Sequence, residues 1–66
     1  MTLLKKGDRV FHKNLQEFGT LVEVCSSPCS SVVLFDDGDG LEVTTSLLIQ
    51  IRNQEHEDTL RRTYDL

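Results

Sequence analysis

The stretch from Val32 to Thr45 constrains this chain more than any other part of it. Val32-Val33-Leu34-Phe35 runs into Asp36-Asp37-Gly38-Asp39-Gly40 and then into Leu41-Glu42-Val43-Thr44-Thr45. The first run has high strand propensity and the last alternates apolar with polar residues. The Asp/Gly segment between them tolerates the positive φ that tight hairpin turns require. A β-hairpin is predicted here. An isolated hairpin is marginal in water, so the rest of the chain must supply further strands.

The same punctuation recurs along the chain. Gly7-Asp8 marks a turn before a strand over Arg9–His12. A polar loop, Lys13–Gly19, leads to a strand over Thr20–Val24. Ser26-Ser27-Pro28 with Ser30-Ser31 marks a loop, and Pro28 cannot donate to a ladder. Ser46-Leu47-Leu48 predicts a tight turn before a last strand, Ile49–Arg52. Five short strands at this spacing predict an all-β, five-stranded small barrel, since closure removes free edges. Period-2 alternation assigns Val10, Val22, Val24, Val33, Phe35, Leu41, Val43, Leu47, Ile49 and Ile51 to the core. It turns Phe11, Leu21, Val32 and Leu34 outward. Four apolar side chains on so small an outer face are expected to form a partner-binding surface, unless the C-terminal tail folds back over them.

That tail, Asn53–Leu66, loses the alternation. Asn53 is a candidate N-cap, acids follow it, and Arg61 and Arg62 lie near the other end. Glu57–Arg61 and Asp58–Arg62 are i,i+4 pairs. Leu60 and Tyr64 are its only apolar residues on one face. The division is residues 1–52 as the barrel and 53–66 as a tail, either a short helix or disordered.

Gly7-Asp8-Arg9-Val10-x-His12, Phe18-Gly19-Thr20, Val33-x-Phe35-Asp36-Asp37-Gly38 and Leu47-Leu48 together resemble the Tudor-like, SH3-like barrels. The pattern is similar to the small C-terminal barrel of UvrD/PcrA-type helicases and, more distantly, to the RNA-polymerase-binding CarD barrel. The resemblance spans residues 5–51. It implies a barrel that binds proteins, often RNA polymerase, or in some cases nucleic acid. The chain carries no helicase body, and its few aromatic residues do not make the cage of methyl-reading Tudor domains.

The 66 residues leave little room for a catalytic pocket beside a core, so no enzyme is expected. A net charge of −4 argues against a general phosphate-binding surface. Lys5, Lys6, Arg9 and Lys13 nevertheless form a basic cluster that could meet phosphate or an acidic partner. Cys25 and Cys29, spaced C-x-x-x-C in a loop, fit neither a thioredoxin-like site nor, with only His12 and His56 to complete it, a convincing zinc site. Two free thiols or an adventitious disulfide across the loop, no metal and no cofactor are expected. The Asp36–Glu42 acids break the spacing of a calcium loop and read as a solvated hairpin turn, or else as an acidic docking patch for a basic partner. His12 reads as a structural residue at the end of the core. Met1–Lys6 lacks a signal-type apolar run and no segment suits a membrane, so the expected setting is cytoplasmic. The expected function is a non-catalytic protein-interaction module, an adaptor or regulator of a larger complex. Its partner would come from a transcription or nucleic-acid-processing complex, or be a second copy. The alternative is a nucleic-acid-binding accessory factor using the basic cluster.

Overall fold

The computed structural model describes residues 4–25 and 30–66. The Ser26–Pro28 loop, Cys29 and any Cys25–Cys29 pairing lie outside the described residues. Five antiparallel strands are followed by one helix: β1 Arg9–His12, β2 Glu17–Val24, β3 Ser30–Phe35, β4 Gly40–Thr44, β5 Leu48–Gln50 and α1 Gln54–Thr63. A single 3-10 turn, Thr45–Leu47, joins β4 to β5. The strand order is β4-β3-β2-β1-β5. No ladder between β4 and β5 closes the sheet among the described residues, so it stays open where a closed barrel was expected.

Register explains where the core lies. β1 and β2 pair Val10 with Gly19 and Phe11 with Phe18, so Val10 and Gly19 share one face. Leu21, two residues beyond Gly19, falls on that same face opposite Val33. The inner cluster is therefore Val10, Leu21, Val33, Phe35 and Leu48, with Leu4 and Val43 against it. Leu21 is buried, which corrects the outward placement read from the sequence. Val22 and Val24, expected inside, are exposed. Val22 falls on the phase opposite Leu21, and a bulge between Leu21 and Glu23 takes it out of the pairing; Val24, paired with Ser31, returns to the inner phase but stays exposed as the last residue of β2. Leu48 replaces Leu47 in the core because the 3-10 turn consumes Leu47 and β5 begins one residue later. Leu41 does face inward, opposite Val33, but it stays 46% exposed on an edge strand.

Two glycines permit this packing. At Gly19 a Cβ would lie 2.6 Å from Val33 Cγ1 and 2.8 Å from the Leu34 carbonyl oxygen, so only hydrogen fits. Gly38 closes the β3–β4 hairpin at φ +101, with its N–H donating to the Phe35 carbonyl.

The outer face carries a second cluster of Phe11, Phe18 and Leu60, with Ile49, Ile51 and Tyr64 packed against it. Phe11 points away from Val10, as alternation requires, yet its exposure is 0% because α1 lies over it. Ile49 pairs opposite Phe11 and so belongs here and not to the inner core. The tail is a helix. The Asn53 carboxamide oxygen accepts from the His56 N–H at 2.8 Å, satisfying one orphan donor of the first turn. Glu57–Arg61 forms at 2.9 Å, whereas Asp58 accepts from Gln54 and Arg62 reaches Thr59.

Candidate functional site

Beneath α1 the Phe11 ring lies 4.7 Å from Phe18 and 4.8 Å from Tyr64, centroid to centroid. Tilted aromatic contacts of this kind add to the area they bury. The Arg61 guanidinium stands 4.3 Å above the Phe18 ring. Arg9 ties the parts together. Its two terminal nitrogens donate to the Asp36 carboxylate at 2.6 and 2.7 Å, while Nε donates to Glu57 Oε1 at 3.2 Å. Such a bidentate pair is a strong, directional contact. It joins β1, the β3–β4 turn and α1. The Arg9 hydrogen bonds hold the Asp36 and Glu57 carboxyls below the usual carboxylate range, against the desolvation that opposes them. The same bonds raise the Arg9 pKa above its ordinary value.

This geometry corrects the basic cluster. Arg9 is engaged inside the fold. Lys5, Lys6 and Lys13 are exposed, and none of their side chains makes a hydrogen bond or ion pair among the described residues. Lys5 and Lys6 precede β1 and Lys13 follows it, with a strand of about 13 Å between them at ~3.3 Å per residue. One of the four expected cations, Arg9, is thus paired within the chain.

Of the four residues expected on the outer face, Phe11 and Leu21 are buried in two different clusters, and Val32 and Leu34 remain together on β3. Leu34 is 49% exposed and Val32 is half-buried. Register sets two cross-strand rows around them. Glu23, Val32 and Glu42 form one row, and Thr20, Leu34 and Gly40 form the next. The result is an apolar strip with a carboxylate on either side of Val32. Glu23 was not singled out in the sequence, and Glu42 only as the end of the acidic Asp36–Glu42 segment, because only the register brings the two to Val32.

An open groove of about 800 Å³ lies on the other side, between the 3-10 turn, β5 and the start of α1, with Leu4, Val24, Leu48 and Ile49 as its apolar lining. Leu4 borders residues 1–3 and Val24 lies one residue before 26–29, both outside the described residues.

The remaining reactive groups are accounted for locally. His12 is 4% exposed, its Nδ1 accepts from the Leu15 N–H at 3.0 Å, and its ring meets the edge of Phe35. Burial lowers its pKa. Cys25 Sγ lies 3.8 Å from Glu42 Oε2. Desolvation, followed by the charges of Glu42 and Glu23, pushes its thiol up, the opposite of nucleophile activation. Among the described residues no three His, Cys, Asp or Glu side chains converge as metal donors, and no helix is long and apolar enough to cross a membrane. No family model, curated protein or solved structure matches the chain.

Proposed function

We propose that the chain is a small, non-catalytic protein-interaction module built on an SH3-like, Tudor-like frame that is left open between β4 and β5. The strand order and the single 3-10 turn before β5 support the frame. One observation carries the function: the chain's own helix covers the β5-β1-β2 half of the outer face and leaves the Val32–Leu34 strip uncovered. Single exposed apolar residues are ordinary, but an adjacent pair on a sheet face flanked by charge is the composition of a contact surface. The nucleic-acid alternative loses its strongest cation, because Arg9 is spent on Asp36 and Glu57.

The test is photo-crosslinking in cells from a benzoylphenylalanine placed at Leu34, compared with one at Asp58 on the exposed side of α1. A polypeptide adduct at Leu34 and none at Asp58 is expected. Adducts of equal yield at both positions, or none, overturn the reading. A gel shift that weakens steeply across a salt series would favour the alternative.

A further inference from the structure

We infer that β4 accepts an additional strand on its open edge, and that this strand is a lysine- or arginine-bearing segment of another protein. The inference rests on the interaction reading above and names the chemistry of its partner. β4 pairs only with β3 among the described residues. The hairpin closes with the Phe35 N–H donating to the Asp39 carbonyl at 2.8 Å. Bonded pairs alternate along an antiparallel ladder, so Leu41 and Val43 bond back to β3. Gly40, Glu42 and Thr44 then direct their N–H and C=O groups away from the sheet. Edges are usually guarded by proline, lysine or a bulge. Gly40–Thr44 has no proline or lysine, pairs with β3 without a register shift, and leaves Leu41 half exposed.

The side chains specify what fits. An incoming residue opposite Glu42 extends the Glu23–Val32–Glu42 row and stands beside a carboxylate, so a cation gains and an acid is repelled. Two copies joined β4 to β4 about Glu42 would place Glu42 opposite Glu42, which disfavours self-pairing and nucleic acid alike. Beside it, a Cβ built on Gly40 would meet nothing within 4 Å. A bulky apolar residue opposite Gly40 would fill that space and cover Leu34. Opposite Leu41 and Val43, on the inner face, apolar residues extend the core. Read in its own N-to-C direction, an antiparallel guest therefore runs polar, apolar, basic, apolar, bulky apolar, facing Thr44 through Gly40.

A capped Thr-Val-Lys-Val-Phe peptide with Gly-Ser flanks, and its counterpart with glutamate for lysine, are titrated into the intact, nitrogen-15-labelled chain. The amide resonances of Gly40, Glu42 and Thr44 should move with the lysine peptide. The glutamate peptide should bind about fivefold or more weakly, and Glu42→Lys should invert that preference. Thr44→Pro gives a second arm. Thr44 already has φ −69, close to proline's own, and its N–H points outward, so the sheet should stay folded and lose the guest. Thr44→Ala should bind as the parent does. Equal binding of both peptides, shifts centred elsewhere, or parental binding by a folded Thr44→Pro overturns the inference. If no peptide binds while Leu34 still crosslinks a polypeptide, strand addition is wrong and the interaction module stands. If both fail, the interaction reading fails too.

Discussion

The two halves of the outer face obey the same alternation and meet opposite fates. Phe11 and Phe18, on β1 and β2, are sealed under Leu60 and Tyr64, whereas Leu34 on β3 stays half exposed. The difference lies in the cover. A ten-residue helix is ~15 Å long and ~10 Å across, which spans two or three strands at ~4.8 Å spacing. Arg9 anchors it through Glu57 at the β1 side, and the strands beyond are left bare. A solvent-facing apolar position is thus a statement about sheet geometry, and whether water reaches it depends on another element.

The largest effect that would break this comparison is Phe11→Ala. Emptying a buried aromatic site costs about 3–5 kcal/mol, as much as a chain of this size is expected to hold in total. Loss of the cooperative urea transition by circular dichroism is expected. If the variant keeps the parent midpoint, the helix-covered half is not part of the core.

Gly19→Ala comes next. Its methyl would press on Val33 Cγ1 and on the backbone oxygen of Leu34, and overpacking of this kind costs about 1–3 kcal/mol. The same denaturation measurement checks it.

The Arg9 clamp gives a third, pH-dependent effect. Asp36 and Glu57 have depressed folded pKa values, so their contribution is present above about pH 5 and disappears as pH falls below about 4. His12 is also depressed, so its contribution is present above about pH 6.5 and is lost as the imidazole protonates at lower pH. Arg9→Gln should lower stability at pH 7 by about 1–2 kcal/mol, discounted for the exposure of Arg9 and Asp36. It should also flatten the acid limb below pH 5 and leave the His12 limb in place. Tyr64, the only tyrosine in a chain without tryptophan, reports the helix contact by fluorescence. An unchanged acid limb in Arg9→Gln would show that the clamp does not hold the helix.

The smallest expected effect on stability is that of Leu34→Ser, within about 0.5 kcal/mol as for other surface substitutions. Paired with Phe11→Ala under the same conditions, it measures the difference between the two halves. A destabilisation as large as that of Phe11→Ala would mean Leu34 is already covered.

The strands were legible because turn chemistry and alternation are local. Arg9–His12 stands where the spacing placed it, and β3 and β4 flank the Asp/Gly turn. β2 was shortened because Phe18 and Gly19 read as loop residues. Phe18 is instead held in the strand by pairing with Phe11, and Gly19 by its close approach to Val33. Of the candidate site, Val32 and Leu34 were readable from alternation, while Glu23 and Glu42 were not.

The amino-acid order by itself placed five strands, the Asp/Gly turn and the Asn53 cap, because each follows from the conformations of a few neighbouring residues, and left the tail as a short helix or disordered. Its alternation put Val22 and Val24 inside and Leu21 outside, since two of the three apolar residues in that five-residue run share one phase. Register reversed that, because pairing Gly19 with Val10 and Leu21 with Val33 puts Leu21 on the inner face. The burial of Phe11 under Leu60 and Tyr64, the capture of Arg9 by Asp36 and Glu57, and the carboxylates around Val32 join positions far apart in the chain, 48 residues in the case of Arg9 and Glu57. Contacts at such separations depend on how the elements pack, and only the tertiary structure sets that.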